Sequence, residues 1–451
     1  MKTQTAIIAL AVALLTATAF ADHNKTSLPL GLGQKEGHWT ERYKNGNVFE
    51  GYYVGGRRHG RWVLRFVSGD VHEGSYLNGK QHGHWVERNA NGNVAEGQMV
   101  NGKPQGRWVL RFADGTVMEG PLVDGKRHGD WILRTEDGVQ EGQYVDGKKQ
   151  GQWVLRHING TVEKGPIVDG KKYGHWVVRD ADGNVQEGPL VDGKRHGRWV
   201  LRYANGDVQE GPMVDGKRHG KWVLRWADGN VDDGPMVDDK KHGHWVERSA
   251  DGDVHEGQYV NDKEHGHWVL QDADGNVSEG SFADGKKQGH WVERFTSGTV
   301  QNGPYMDGKK HGYWVFRFIN GGVEEGNMVN DKRHGTWVLR TANGGVEEGP
   351  YVNGKKHGQW IERFASGTVQ EGPYMGSKKH GHWMFRFADG DAQEGPFVAG
   401  KQHGKWVFRT ADGGAEEGNI VNGKRHGPWV LRKPDGTEKK VNFRNGELVD
   451  E

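Results

Sequence analysis

A tryptophan recurs every 23 residues along almost the whole chain, and this period constrains the fold more than any other feature. The in-phase series has 18 members and a single 22-residue step, between Trp131 and Trp153. A fixed period of this size is typical of linear repeat proteins, in which each unit contacts mainly its neighbours. Function in such proteins generally lies on an extended surface, so the sequence predicts shape better than ligand.

The composition favours a thin sheet with many tight turns. Hydrophobic residues make up only 33% of the 451 residues, and glycine numbers 74. This composition supplies too little apolar material for a thick two-layer core. The 10% aromatic content argues against a disordered chain. With 61 basic and 60 acidic residues, no bulk field favours nucleic acid, and the absence of cysteine excludes disulfides and thiolate metal sites.

The first residues have the organisation of a secretory signal. Lys2 is followed by a short apolar segment at 6–15, and Ala19-Phe20-Ala21 fits the small-x-small rule, which predicts a signal peptide over 1–21 and cleavage before Asp22. The apolar segment is shorter than the roughly 20 residues that a membrane-spanning helix needs. We therefore expect an exported protein, periplasmic or extracellular, without a transmembrane segment.

The segment Trp199–Gly220 shows what one unit predicts. It contains two turn signals, Asn205-Gly206 and Asp215-Gly216, whose residues tolerate the positive φ of tight hairpin turns. Short runs of β character lie between these turns, and no window has helical periodicity. The sequence therefore predicts an all-β fold, an elongated single-sheet meander of tandem β-hairpins with about 36 strands.

The 22-residue unit suggests a strand register. If Asp137-Gly138 is a two-residue loop, the other units absorb their extra residue in a G1-type bulge, and Arg202 pairs directly with Glu210. Trp199 and Gly211 then lie on one face of the sheet, and Arg202 and Glu210 lie on the other. A slip by one residue would bring glutamate among the tryptophans, so the register should be firmly specified.

Positions that recur identically are predicted to be structural. The tryptophans form the only available core. The glycines allow tight turns and leave room for a large side chain to lie across the strand. Each arginine–glutamate pair contributes some tenths of a kcal/mol to stability. The structural repeat positions chosen to represent the set are Trp62, Trp85, Trp108, Trp199, Trp222, Gly211, Gly216, Gly220, Arg202 and Glu210.

Proline follows the Glu-Gly pair, or its equivalent, in half of the units. Because proline cannot donate to a strand ladder, it predicts a local gap in the sheet once in each of these units. These prolines are Pro121, Pro166, Pro189, Pro212, Pro235, Pro304, Pro350, Pro373 and Pro396.

The two ends of the chain differ from the repeats, as capping segments do. The C-terminal segment contains a cap strand near Val441 to Phe443 and a charged tail from Glu447 to Glu451. The predicted organisation is a signal peptide at 1–21, a polar arm at 22–36, a repeat array at 37–432 and this C-terminal segment at 433–451.

The residues Gly211, Asp215-Gly216-Lys217 and His219-Gly220 closely resemble the core of the MORN repeat, and the match recurs in phase from about Gly37 to Gly427. Tryptophan and glutamate stand where the family usually has glycine and tyrosine, departures that resemble bacterial variants. Together with the signal-like N-terminus and the tryptophan period, the resemblance identifies the chain as similar to a bacterial-type, exported MORN repeat protein with about 18 tandem 23-residue units. It also implies consecutive β-hairpins in an elongated sheet that acts in scaffolding, tethering or membrane association.

Two features admit both a binding and a structural interpretation. Histidine pairs such as His242/His244 and His265/His267 would share a strand face and could hold zinc or copper, or the histidine of His-Gly could be a packing residue. The row of tryptophans could stack on sugar rings, or it could be the only core of a thin sheet. We favour the structural interpretation of both features and predict no metal and no cofactor.

The turns also carry a candidate basic surface. Lys194, Arg195, Lys217 and Arg218 represent a row that could meet lipid phosphates or polyanions. Acidic residues such as Glu210 interleave with this row, so a solvated, self-neutralised surface is the simpler interpretation.

The sequence gives no support for catalysis. It has no Gly-x-Ser-x-Gly, Walker A or His-Glu-x-x-His motif, and its carboxylates recur identically, as structural positions do. We therefore expect a non-enzymatic, exported scaffold that mediates protein–protein interaction or adhesion through an extended β surface, with a protein partner and no nucleic acid. The alternative is an envelope protein that binds glycans or anionic lipid headgroups.

Overall fold

The computed structural model describes residues 34–449, so the predicted signal peptide at 1–21 lies outside the described residues. Every regular element within 34–449 is a β-strand, and the predicted all-β fold of tandem hairpins is confirmed. The chain divides into two units, Met1–Ala227 and Asp228–Glu451. Within the described part of each unit, hairpins follow one another as an antiparallel sheet. No helix within 34–449 is long and apolar enough to cross a membrane.

The first unit contains strands β1 to β21. Their bounds are β1 Gly37–Arg42, β2 Val48–Val54, β3 Arg57–Arg65, β4 Val71–Leu77, β5 Lys80–Arg88, β6 Val94–Val100, β7 Lys103–Arg111, β8 Val117–Val123, β9 Lys126–Arg127, β10 Gly129–Thr135, β11 Gly138–Val145, β12 Lys148–His157, β13 Val162–Val168, β14 Lys171–Lys172, β15 Gly174–Arg179, β16 Val185–Val191, β17 Lys194–Arg195, β18 Gly197–Arg202, β19 Val208–Val214, β20 Lys217–Arg218 and β21 Gly220–Arg225.

The second unit contains strands β22 to β46. Their bounds are β22 Val231–Val237, β23 Lys240–Lys241, β24 Gly243–Arg248, β25 Val254–Val260, β26 Lys263–Gln271, β27 Val277–Ala283, β28 Lys286–Arg294, β29 Val300–Met306, β30 Lys309–Lys310, β31 Gly312–Arg317, β32 Val323–Val329, β33 Lys332–Arg340, β34 Val346–Val352, β35 Lys355–Lys356, β36 Gly358–Arg363, β37 Val369–Met375, β38 Lys378–Lys379, β39 Gly381–Arg386, β40 Ala392–Val398, β41 Lys401–Gln402, β42 Gly404–Arg409, β43 Ala415–Val421, β44 Lys424–Arg432, β45 Glu438–Arg444 and β46 Glu447–Val449.

The described residues form 46 strands, compared with the predicted 36 or so. Most of the difference arises because nine predicted strands are each divided into two pieces opposite a proline. In a hairpin without this proline, Tyr52 lies opposite His59 across a bulge, and β3 runs unbroken. In a hairpin with it, Pro212 has no N–H to donate, so the backbones of Pro212 and His219 are joined by one hydrogen bond, from the His219 N–H to the Pro212 carbonyl (3.0 Å). The partner strand therefore splits into a two-residue and a six- or seven-residue piece, and the predicted gap is present.

The turn at Asp215-Gly216 is a two-residue type I′ turn, as its sequence predicts. Both residues have positive φ, 51° and 91°, and Val214 lies opposite Lys217. The N–H of Gly216 donates to the carbonyl of Arg195 in the preceding hairpin (2.8 Å). Each turn of this kind is thereby bonded to its neighbour as well as closing its own hairpin.

The turn at the other end of the hairpin is longer than predicted. The N–H of Gly206 donates to the carbonyl of Tyr203 (3.0 Å), and the N–H of Tyr203 donates to the carbonyl of Asp207 (2.9 Å). Ala204 and Asn205 therefore occupy the central positions, and Gly206, at φ 101°, is the bulge residue. The expected G1-type bulge exists, but the turn precedes Gly206 instead of including it.

The predicted register is consequently wrong by two residues. Trp199 lies opposite Gly211, and Arg202 lies opposite Val208 instead of Glu210. Because the error is an even number of residues, every side chain keeps its predicted face. Trp199 and Gly211 share one face of the sheet, and Arg202 and Glu210 share the other.

The 22-residue unit shows the same displacement. Thr135 lies opposite Gly138, so its two-residue loop is Glu136-Asp137 instead of Asp137-Gly138. Past this shorter loop the pairing agrees with the other units, since Trp131 lies opposite Gly142. Loss of one residue from the turn therefore leaves the backbone pairing of tryptophan with glycine unchanged.

Each buried indole lies across a glycine of the preceding strand. A Cβ atom built on Gly211 would stand only 2.5 Å from ring atoms of Trp222, so only a hydrogen fits there. The indole Nε1 of Trp222 donates to the carbonyl of Pro212 (2.8 Å). All seventeen in-phase tryptophans from Trp62 to Trp429 are at most 2% exposed.

Trp39, the first tryptophan of the series, is 37% exposed. In the described residues no strand precedes β1, so Trp39 has no glycine to lie across, and its Nε1 donates to the carbonyl of Glu36 (3.0 Å). The contrast with the other tryptophans indicates that an indole is buried by the preceding hairpin.

The C-terminal segment contains more strand than predicted. The expected cap strand at Val441 to Phe443 is part of Glu438–Arg444, and Glu447–Val449, expected to be tail, forms a further paired strand. Asn445 and Gly446 join the two strands with positive φ at both residues, 52° and 93°. The chain therefore ends its array with one more Asn-Gly hairpin.

Gly211→Ala should destabilise the array locally. The new Cβ collides with the Trp222 indole, and overpacking of this kind costs about 1–3 kcal/mol. Hydrogen exchange of residues 208–214 measures the loss. In a Trp222→Ala background the collision is absent, so the same substitution should cost far less. Equal costs in the two backgrounds would contradict the assigned role of Gly211.

Candidate functional site

One face of each unit, the tryptophan face, is closed by its own side chains. The representative residues Trp62, Trp85, Trp108, Trp199 and Trp222 are all 0–1% exposed. An edge-to-face ring often lies between consecutive indoles, since the Tyr374 centroid lies 6.1 Å from that of Trp360 and 5.0 Å from that of Trp383. The indoles are therefore a core and not an exposed stacking surface.

A cation lies over most of these indoles. Lys287 is a typical case, with its Nζ 4.0 Å from the centroid of the Trp291 ring. The charged groups that occupy this position at 4.0–6.0 Å are those of Arg58, Arg127, Lys149, Lys172, Arg195, Arg218, Lys241, Lys287, Lys310, Arg333, Lys356, Lys379 and Arg425.

The structure divides the predicted basic row between two environments. The guanidinium of Arg195 lies 4.7 Å from the Trp199 ring, and that of Arg218 lies over the next indole at 5.8 Å. Lys194 and Lys217 are exposed instead. Neighbouring residues of a strand point to opposite faces, so these four residues do not form one basic surface.

Glutamates on the tryptophan face have partners built into the chain. The carboxylate of Glu362 accepts hydrogen bonds from Tyr374 Oη (2.9 Å), Lys356 Nζ (2.8 Å) and Gln370 Nε2 (2.6 Å). Burial lowers the pKa of Lys356, but the carboxylates of Glu347 and Glu362 outweigh it and raise that pKa overall. The Lys356 ammonium also lies 4.1 Å from the centroid of the Trp360 ring, so it contacts both the indole and the Glu362 carboxylate.

The same constellation recurs wherever glutamate, lysine and tyrosine coincide. Tyr259 donates to Glu247 (2.9 Å), and Lys241 donates to the same carboxylate (2.5 Å). Tyr305 donates to Glu293 (2.7 Å). Burial of Tyr305, and then its hydrogen bond to the carboxylate, raises the pKa of the phenol.

Glu87 is the exception. It is 2% exposed, and its buried Oε2 has no hydrogen-bond partner. The positions that supply cations and a hydroxyl to the other glutamates hold Gln81, Pro104 and Met99 here. Burial alone raises the pKa of Glu87 to about 7. Near neutral pH this carboxyl therefore changes its charge while it is buried.

The opposite face, the charged face, carries ion pairs both within hairpins and between successive hairpins. Arg202 pairs with Glu187 of the preceding hairpin (2.5 Å), and Glu210 accepts from Arg225 and Arg198 (2.7 Å each). The predicted Arg202–Glu210 pair does not form, because of the two-residue change in register. The hydrogen bonds from Arg225 and then Arg198 lower the pKa of Glu210.

An aliphatic stripe runs along the charged face, next to the type I′ turns. Each member precedes a turn, as Val214 precedes Asp215-Gly216, and is 37–56% exposed. The stripe consists of Val54, Leu77, Val100, Val123, Val145, Val168, Val191 and Val214 in the first unit and Val237, Val260, Met306, Val329, Val352, Met375, Val398 and Val421 in the second.

The turn edge beside this stripe alternates in charge. Lys171 Nζ lies 3.0 Å from a carboxylate oxygen of Asp192, and Lys103 Nζ lies 3.3 Å from one of Asp124. These side chains are 59–73% exposed, so each pair contributes well under about 1 kcal/mol. The edge therefore presents both signs of charge to solvent.

The histidines do not assemble into a metal centre within residues 34–449, where no three metal-ligating side chains lie close enough to hold an ion. His244 is half exposed with its Nε2 3.5 Å from Glu256, whereas the Nδ1 of His242 is buried without a hydrogen-bond partner. The paired histidines thus occupy different environments, although they are two residues apart.

Sequence reasoning missed a row of side-chain bonds that joins the longer turns. Asn184 Oδ1 accepts from the N–H of Ala204, and Asp207 Oδ1 accepts from the N–H of Ala227 (2.8 Å each). An asparagine or aspartate stands at this position in half of the repeats, two residues after the first residue of the turn signal. That recurrence is the signal that could have identified the row.

The described geometry agrees with a comparison against protein families. The model of the family described as MORN repeat matches eleven segments that together cover more than half of the chain. These are residues 49–71, 72–94, 96–117, 141–161, 187–208, 210–231, 255–277, 279–300, 325–346, 348–369 and 417–438. No curated protein matches the chain.

Solved structures overlap with the chain only weakly. The SAS-4 TCP domain of Drosophila melanogaster, bound to a proline-rich motif of Ana2, is 13% identical, covering 40% of this chain and 85% of that one with a TM-score of 0.20. The TCP10 domain of Danio rerio CPAP with a STIL peptide is 14% identical, covering 63% and 99% with a TM-score of 0.13. A streptogramin B lyase is 11% identical, covering 70% and 91% at 0.12. Overlaps this weak say nothing about function.

Glu87→Gln should stabilise the first unit at pH 8 but not at pH 4. The raised pKa of Glu87 means that folding disfavours its charged form, so the cost appears as pH rises above 4.5 and is complete above about 7. The gain at pH 8 should approach about 3 kcal/mol by local hydrogen exchange. Glu362→Gln, which removes a partnered carboxylate, should destabilise its hairpin at pH 8. A loss of stability at pH 8 in both variants would contradict this assignment.

Proposed function

This chain belongs to the MORN repeat family, and on that premise we propose that it is an exported scaffold whose charged face binds another protein. The observation that carries the proposal is the contrast between the two faces. The tryptophans are at most 2% exposed from Trp62 onward, whereas the aliphatic stripe is 37–56% exposed. A partner can therefore contact the charged face while the tryptophan core stays folded.

The chemistry of the charged face suits a protein partner. Exposed aliphatic side chains such as Val191 and Val214 supply apolar contact, and the flanking ion pairs place both signs of charge beside them. Protein interfaces combine an apolar centre with a polar rim in this way. A face that repeats its chemistry also allows one partner to make several equal contacts, which raises the overall affinity.

Glycans and anionic lipid headgroups are the alternative ligands. Stacking on sugar rings would need indoles in contact with solvent, and the buried series from Trp62 to Trp429 does not provide them. Attraction to an anionic membrane would need an excess of positive charge, and the lysines of the turn edge alternate with aspartates. Both observations favour a protein ligand, and no catalytic role is proposed.

The finer features of the resemblance extend the proposal. We propose that the segments between the eleven matched ones are divergent copies, which would give about 18 repeats with a 23-residue period, of bacterial type. The support is that the tryptophan and its glycine keep their geometry in unmatched segments as well, as at Gly165 and Trp176.

Val191→Asp/Val214→Asp should abolish partner binding while leaving the fold intact, because both side chains are exposed and touch the partner in this proposal. Asn159→Asp/Asn205→Asp is the matched control, since it adds the same charge at exposed turns on the far edge of the hairpins. Immobilised wild type and control should retain the same proteins from an envelope extract, and the valine variant should lose them.

The binding assays also decide between the two candidate functions. Retention of the same proteins by all three chains would contradict binding through the charged face. Co-sedimentation with anionic vesicles that resists salt, or clear signals on a glycan array, would favour the alternative ligands.

Export is a separate part of the proposal and has its own test. The signal-like residues at 1–21 predict a mature chain that begins at Asp22. The intact mass and N-terminal peptide of the protein recovered outside the cytoplasm should show this start. An uncleaved N-terminus on a cytoplasmic protein would contradict it.

A further inference from the structure

The row of cations over the tryptophan face is interrupted at one place in the first unit. The residues that would stand over Trp85 and Trp108 are Gln81 and Pro104, and neither carries a charge. Glu87 lies on the same face between these two indoles in sequence, with its Oε2 buried and unpartnered. The interruption thus coincides with the glutamate that lacks a partner.

The chain itself shows what fits such a position. At Glu247 the missing group is present, because Lys241 Nζ lies 2.5 Å from the carboxylate and 4.6 Å from the centroid of Trp245. At Glu293, Lys310 from the following hairpin contributes a second ammonium at 3.3 Å. The equivalents of Lys241 and Lys310 around Glu87 are Gln81 and Pro104.

We infer that Glu87, Trp85 and Trp108 form a binding site for a primary ammonium group supplied from outside the chain, taking the place that Lys241 Nζ occupies beside Glu247. The group would be the side chain of a partner's lysine or a free alkylamine. It would donate hydrogen bonds to the Glu87 carboxylate and stand over an indole face. Carboxylate and aromatic faces together are the chemistry by which proteins recognise ammonium ions.

The surroundings of Glu87 leave its charge without compensation. The residue opposite it on β4 is His72, whose pKa is lowered by burial, so its imidazole is neutral at pH 7. Tyr76 on the same strand is also uncharged, since burial raises its pKa. On β6 the opposite residue is Ala95. The Arg58 guanidinium lies over the Tyr76 ring (5.6 Å), but it is not among the causes that shift the pKa of Glu87, which is raised by burial.

Access requires the Gln81 side chain to rotate away, since Gln81 is 6% exposed and occupies the position of Lys241. The side chain of Pro104 is too short to reach Glu87, whereas Lys310 at the equivalent position reaches the carboxylate of Glu293. The ligand must also bind the ionised carboxylate, so its affinity should rise with pH. The ionised fraction of a group with a pKa of about 7 rises about tenfold between pH 6 and pH 8.

Isothermal titration of the full mature chain with n-butylammonium tests this inference. Wild type should bind about tenfold more tightly at pH 8 than at pH 6. Glu87→Gln should lose at least about tenfold in affinity at pH 8. Gln81→Lys should abolish binding while raising the melting temperature, because it supplies the missing ammonium internally. Glu247→Gln, at a site already filled by Lys241, should bind like wild type.

A second titration identifies the source of the ammonium group. A short peptide with one lysine that binds more tightly than n-butylammonium, and loses binding when that lysine is acetylated, identifies a protein source. Equal or weaker binding of the peptide identifies a free amine. Absence of n-butylammonium binding to wild type, or equal binding to wild type and Gln81→Lys, would overturn the inference. Neither probe involves the charged face, so these results are independent of the proposed scaffold function.

Discussion

The contact between an indole and the glycine of the preceding strand is the constraint on which the rest of this fold depends. Gly211 can carry no side chain because Trp222 covers it, and the Trp222 N–H bonds to the carbonyl of the next residue, Pro212. A hairpin therefore cannot complete its own core and relies on its neighbour, as in other linear repeats. Within each of the two units of the chain, the period of 23 residues preserves this contact from one repeat to the next.

Long cations and tyrosines lie over this core, and within residues 34–449 no helix covers it. Lys287 and its equivalents place their charged groups over the indole rings. Glutamate is tolerated on this face where lysine and tyrosine can satisfy it, as at Glu362. Glu87 shows the consequence of losing all of these partners, and it is where the tryptophan face could recognise a ligand.

The strand content and the faces could be predicted from the sequence, because a two-residue alternation fixes which side chains share a face. The register could not, because the sequence does not show whether Asn205-Gly206 fills the turn or Gly206 alone forms a bulge after it. The ion pairs of Arg202 and Glu210 were misassigned for the same reason. The cations that lie over most of the indoles were also missed, since a basic residue such as Arg195 resembles a solvent-exposed residue when Lys194 precedes it.

Hydroxyl-radical footprinting of the intact mature chain, resolved by mass spectrometry for each tryptophan, tests the central claim most directly. The claim is that an indole is sheltered by the hairpin before it. Trp39, at 37% exposure, should be oxidised readily, and the tryptophans from Trp62 to Trp429, at 2% or less, should be protected. Comparable oxidation of Trp39 and of the later tryptophans would contradict the account.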